Sequence, residues 1–190
     1  ENNSFFINNA SVENFNKEKK YDLIFSVNVF EHVKNHPEYI GKTLKLLKKD
    51  GVNIIISPNY DFPYEPHFVI PIICNKEMTY KIFRKKIMKH EQKTGEKGLW
   101  EGLNFCSKKK IKKYLANNRF FVQFDLTVGE RLLNRIDNDQ SSYFKKRQGI
   151  VGKIAKIAKT LKLDKFIFSF LKLPFPYMKI IIKKRNNVLN

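Results

Sequence analysis

Apolar residues crowd into two short runs near the start of the chain: Leu23, Ile24, Phe25 and Val27, then Val52 to Ile56. Each run is continuous rather than periodic, which predicts a strand covered on both faces, the habit of parallel sheets. Between them Ile40, Leu44 and Leu47 recur at helical spacing, while Lys42, Lys45, Lys48 and Lys49 fall largely off that stripe. A helix from Pro37 to Lys49 follows, with proline suited to its first turn and Asp50-Gly51 to its end. Strand, helix and strand make a right-handed βαβ crossover. Its ligand side is the carboxyl ends of the strands, on the loops from Ser26 to Asn35 and from Ser57 onward.

The same reading carries along the chain. Ser4 to Ile7 predicts a short strand. A helix from about Lys76 to Lys93 presents Met78, Ile82, Phe83 and Ile87 and stops near Gly95. Ser107 suits the N-cap of a helix that turns Ile111, Tyr114 and Leu115 inward. Strands are expected from Arg119 to Val128 and from Tyr177 to Lys184. Between those strands, the pattern predicts a basic amphipathic helical segment over residues 143–173. Ile150, Val151, Ile154, Ile157, Ala158 and Leu161 share one arc of a helical wheel opposite Lys153, Lys156 and Lys159, and Asp164 suits the cap of a second short helix. Such a segment either lies on an anionic membrane surface or packs on its own domain. No internal repeat occurs.

Composition sharpens this picture in three places. At 190 residues with 42% apolar and 14% aromatic side chains, the chain has the material for one domain with a sizeable core. The formal charge of +19 admits polyanion binding, but lysine far outnumbers arginine, the residue suited to bidentate phosphate recognition. Compositional drift therefore explains the charge better than a nucleic-acid site, and no aromatic platform for base stacking is evident. Cys74 and Cys106 are isolated, as expected of free thiols in a reducing compartment. With no signal peptide and no apolar run approaching the ~20 residues of a membrane span, the expected location is cytoplasmic, with peripheral membrane contact through 143–173 as an addition. The first residue is Glu1 rather than methionine, as expected of a piece of a longer chain or a processed product.

The letters themselves say more than the pattern. YDLIFSVNVFEHV, a helix ending LLKKDGV and a strand ending ISPN closely resemble the fourth-to-fifth-strand region of class I S-adenosylmethionine-dependent methyltransferases, from about Ser4 to Pro58 and more weakly beyond. The resemblance implies an α/β fold. Its sheet would be Rossmann-like but N-terminally truncated, carrying a helical lid over residues 60–106 and a C-terminal helical excursion before a closing antiparallel strand. It also implies S-adenosylmethionine as cofactor. None of the eight glycines falls in a G-x-G-x-G run or ahead of the Ser4 strand, so the family's glycine-rich loop and the acidic residue ending its second strand have no counterpart here.

Carried over residue by residue, the resemblance places Ser11 and Val12 at the adenine, as hydroxyl acceptor and backbone donor. Ser26, Val27 and Asn28 meet the methionine end. Glu31 and His32 form the family's EH pair, expected to brace the loop over the cofactor, with direct catalysis a lesser option. His36 lies four residues after His32, a spacing that suits zinc on a helix, but Pro37 disfavours a continuous helix through both. PYEPHF resembles a motif of methyltransferases acting on glycans or their lipid-linked precursors. Glu65 and His67 within it are the acid/base candidates just beyond a strand end; His67 is the candidate catalytic base, against the plainer reading that it packs a proline-rich loop. The expected function is methyl transfer to an oxygen of a small-molecule, glycan or lipid-linked acceptor. The alternative is a non-catalytic basic module binding anionic membrane or RNA.

Overall fold

The structure, a computed structural model, describes residues 20–116, 120–125 and 176–184, with isolated positions at 128, 131, 135, 157, 160 and 161. Strand β1 (Tyr21–Val27) and strand β2 (Leu47–Pro58) pair in parallel, in register from Leu23 beside Val52 to Val27 beside Ile56. Helix α1 (His36–Leu46) connects them. Its entry is fixed twice over, because the Asn35 side chain accepts from the Glu38 backbone N–H at 3.2 Å and donates to the Glu38 carboxylate at 3.1 Å. The hairpin of β3 (Tyr64–Glu65) and β4 (Ile70–Pro71) follows, then α2 (Lys76–Thr94), α3 (Leu99–Gly102), α4 (Lys108–Leu115), β5 (Phe120–Asp125) and β6 (Tyr177–Lys184). β6 lies antiparallel between β2 and β5, so the described strands run β1-β2-β6-β5. This is the expected mixed Rossmann-like sheet with its closing antiparallel strand.

One face of the sheet carries the core. Ile55, Met178, Ile180 and Ile182 meet Ile40 and Leu44 of α1, Ile111 and Leu115 of α4, and Phe30, all buried. Each such side chain contributes about 1.5–3 kcal/mol through burial. Residues 60–106 have a second core of Phe68, Ile70, Ile87, Trp100 and Leu103.

Several expectations change on the structure. The helix expected to reach Lys49 ends at Leu46, and Leu47 opens a strand of 12 residues. Leu47 is fully buried and pairs with Tyr21, and that gain outweighs another helical turn. Asp50-Gly51 is therefore strand, not helix stop. β1 is covered on one face only: Leu23, Phe25 and Val27 are exposed. On α2, Phe83 and Ile87 turn inward, joined by Thr79, whereas Met78 and Ile82 face solvent. Tyr114 is exposed as well. The strand expected to run from Arg119 to Val128 is described from Phe120 to Asp125. The Ser4 strand and nearly all of 143–173 lie outside the described residues, although Ile157 and Leu161 are exposed and joined by a helical hydrogen bond of 3.0 Å. No helix among the described residues is long and apolar enough to cross a membrane.

Candidate active site

Two chain crossings meet at the carboxyl ends of β1 and β2. Beyond Val27 the backbone turns at Asn28, whose φ of 54° is left-handed and whose N–H donates to the Ile56 carbonyl at 2.9 Å. Asparagine tolerates that conformation better than most residues. A 3-10 turn over Phe30–His32 then drives Phe30 into the core and seats Glu31 beneath the strand ends, both fully buried. Beyond β2 the chain turns through Asn59, whose side-chain oxygen accepts from the backbone N–H groups of Asp61 and Lys108, and reaches the hairpin that carries Glu65 and His67.

Glu31 ties these crossings together. Its Oε2 accepts from the Ser57 hydroxyl at 3.2 Å, and its carbonyl accepts from the Asn104 N–H at 2.6 Å. Burial pushes its carboxyl pKa up; backbone hydrogen bonding, the adjacent His67 and His32, and the Ser57 hydroxyl pull the other way. Oε1 of the same carboxylate has no hydrogen-bond partner among the described residues and lies 3.7 Å from His67 Nε2.

Glu65 is fully buried and committed to donors. Its Oε1 takes the His67 Nδ1 proton at 2.6 Å and the Tyr60 hydroxyl at 3.3 Å, and its Oε2 takes the Phe68 N–H at 2.7 Å. Burial, reinforced by Glu65, holds the Tyr60 hydroxyl protonated far above its ordinary range, so Tyr60 remains a donor. Both Glu65 oxygens are thus engaged by donors, and Oε1 holds the His67 ring by Nδ1. The His32 ring stands edge-on to His67, 5.6 Å between centroids.

The structure therefore brings together Glu31, His32, Glu65 and His67 and leaves His36 apart. His36 begins α1, separate from the turn that ends at His32, and its Nε2 lies 3.0 Å from the Phe30 carbonyl. Cys106 is buried 3.4 Å from the Ser57 hydroxyl, and burial pushes its thiol up to about 12, so it is no nucleophile at neutral pH. Ser26, Val27 and Asn28 stand at the end of β1; Val27 and Asn28 are exposed, and the Ser26 hydroxyl is buried with no partner among the described residues. An orphaned hydroxyl at that point fits a ligand with polar groups such as the methionine portion of S-adenosylmethionine. Ser11 and Val12 lie outside the described residues. What residue reading missed was the convergence of the EH pair with His67. The signal was present, because both follow the carboxyl ends of neighbouring parallel strands.

A family profile described as "Methyltransferase domain" matches residues 2–122. Two Mycobacterium tuberculosis proteins, "Uncharacterized protein Rv1509" and "Uncharacterized protein MT1557", are each 32% identical over 151 residues, covering 79% of this chain and 52% of theirs. The chain thus spans about half the length of these relatives. Among solved structures, the plantazolicin methyltransferase BpumL, in complex with a triazolic desmethylPZN analog and SAH, is 14% identical with a TM-score of 0.43, covering 93% of this chain and 58% of that one. The mycolic acid cyclopropane synthase CmaA1, complexed with SAH and CTAB, is 16% identical with a TM-score of 0.41, covering 92% and 59%. The chain belongs to the methyltransferase domain family, as the motifs around YDLIFSVNVFEHV imply.

Proposed function

We propose that the protein serves S-adenosylmethionine-dependent methyl transfer to an oxygen of a small-molecule, glycan or lipid-linked acceptor. Ser26, Val27 and Asn28 would hold the methionine end of the cofactor, which supplies a sulfonium methyl already activated for displacement. The chain's own work is then alignment, exclusion of water and management of one proton. The observation that carries the reading is the Glu65–His67 pair. Nδ1 is bound to a buried carboxylate at 2.6 Å, and Nε2, 3.7 Å from Glu31, would be the proton acceptor when the ring is neutral. Nε2 would take the acceptor's hydroxyl proton as the new C–O bond forms and the sulfonium S–CH3 bond breaks to release the thioether, and Glu65 would stabilise the resulting imidazolium. The insertion over residues 60–106, which includes this hairpin and α2, would act as the lid.

The test uses a form of the protein that binds cofactor, radiolabelled donor and a panel of hydroxyl acceptors. His67→Ala should slow transfer by about 10²–10⁴-fold with cofactor affinity unchanged. Asn28→Ala should weaken cofactor binding. Transfer that proceeds at full rate without His67 removes the base assignment, and the absence of transfer to every oxygen acceptor removes the oxygen reading.

A further inference from the structure

We propose that Glu31, His32 and His67 form a binding site for a divalent first-row transition-metal ion, zinc being the natural occupant. One ligand atom from each of the three residues lies within 4.8 Å of those of the other two. The independent observation is Glu31 itself. It is fully buried, and its Oε1 has no hydrogen-bond partner among the described residues while it faces His67 Nε2 at 3.7 Å, too far for a hydrogen bond.

A carboxylate only accepts, so the 2.6 Å contact with Glu65 places a proton on Nδ1 and makes Nε2 the nitrogen that can bind an ion, with loss of any proton it carries. A carboxylate behind a histidine is the usual device that orients a metal-binding imidazole and raises its basicity. The buried Glu31 Oε1 and His67 Nε2 lie 3.7 Å apart, a spacing that suits a cation between them. Tetrahedral zinc, with bonds of about 2.0–2.2 Å, spaces its ligand atoms about 3.3–3.6 Å apart, close to the Glu31–His67 separation. His32 completes the set from the side.

Two imidazoles and one carboxylate suit zinc, cobalt or ferrous iron, not the all-oxygen shells of magnesium and calcium. Three protein ligands leave a coordination position open, and His32 and His67 are partly exposed, so an ion and a fourth ligand can enter. The inference goes beyond the transfer reading and does not depend on it. Ion binding and proton acceptance compete for the same Nε2 lone pair, so an occupied site would not use His67 as a base.

The test needs no methyl donor. The full chain, stripped with chelator, is titrated with zinc by calorimetry and with cobalt(II) by visible absorption. One ion per chain is expected, with affinity at least about 10-fold lower in His32→Ala and His67→Ala, and about 10–100-fold lower in Glu65→Gln through the loss of orientation. To separate loss of a ligand from misfolding of a variant, side-chain nitrogen NMR of the unaltered protein gives a second readout. The chain has four histidines, and zinc should shift the ring nitrogens of His32 and His67. The absence of saturable binding, or shifts confined to His36 or His90, overturns the proposal. Absence of methyl transfer in the ion-free protein, with ion binding intact on titration, would instead count against the transfer reading alone.

Discussion

His36 is buried at the first turn of α1, a poor place for a cation because burial and the positive end of the helix both oppose it. Desolvation holds its pKa below the ordinary 6.5, Lys110 adds to the effect, and the Phe30 carbonyl partly offsets it. The folded pKa is depressed relative to the unfolded chain, so below 6.5 the unfolded state binds a proton that the native state resists. The stability this neutral histidine contributes is present above 6.5 and lost as pH falls through the folded value. Denaturant melts between pH 7.5 and pH 5 should show that loss, and His36→Gln should flatten it; an unchanged slope in the variant would assign it elsewhere. Asn28 carries a different constraint, its left-handed φ of 54°. A β-branched residue there meets its own carbonyl, so Asn28→Val should cost about 1–2 kcal/mol, whereas Asn28→Gly should fold with little loss. Chemical denaturation compares the two directly.

Within the elements, β2 depends on one glycine. A Cβ at Gly51 would lie 2.8 Å from the Tyr21 carbonyl oxygen and 3.2 Å from that of Asp22, backbone atoms that cannot step aside as a side chain does. The pairing register shifts there, between Tyr21 and Leu23, which draws the strands close. Gly51→Ala should therefore destabilise by about 1–3 kcal/mol, read as a lowered melting temperature. This glycine also shows where sequence stopped informing. Asp50-Gly51 after a helical stripe is an ordinary helix ending, yet Leu46 and Leu47 are adjacent apolar residues that suit either period. Only the sheet partner Tyr21 decides between them. The α2 stripe was half right for a related reason: periodicity gives a helix and its apolar positions, but the hairpin holding Phe68 decides that Phe83 and Ile87 turn inward with Thr79 while Met78 and Ile82 face solvent. By contrast the Ser107 cap and the Tyr177–Lys184 strand were legible, because a local hydrogen bond or a β-rich run specifies each. Of the site, Asn28, the EH pair and His67 could be named from sequence. The 2.6 Å Glu65 contact and the approach to Glu31 depend on the turn at residues 66–69 and could not.

At the scale of the molecule, the sheet is asymmetric. β6 is buried between two neighbours, whereas β1 stands at the end of the described order with Leu23, Phe25 and Val27 exposed along one face. In the family's topology the strand bearing the glycine-rich loop lies beyond this edge, and the 190 residues contain no such loop. Cofactor affinity in this fold is shared between the halves of the sheet. By resemblance the residues present offer the Ser26–Asn28 end of β1 together with Ser11 and Val12, but the sequence has no counterpart of the family's carboxylate for the ribose hydroxyls. The loss of two charge-assisted hydrogen bonds, at about 1.5–3 kcal/mol each, weakens binding by about two to four orders of magnitude. These 190 residues alone should therefore bind S-adenosylmethionine weakly, and a longer form carrying a glycine-rich loop should bind in the range expected of a working enzyme. Calorimetry on both decides it. Micromolar binding by the short chain would show that Ser26, Asn28 and their neighbours suffice without the loop, and the division of binding between the two halves of the sheet would then be wrong for this protein.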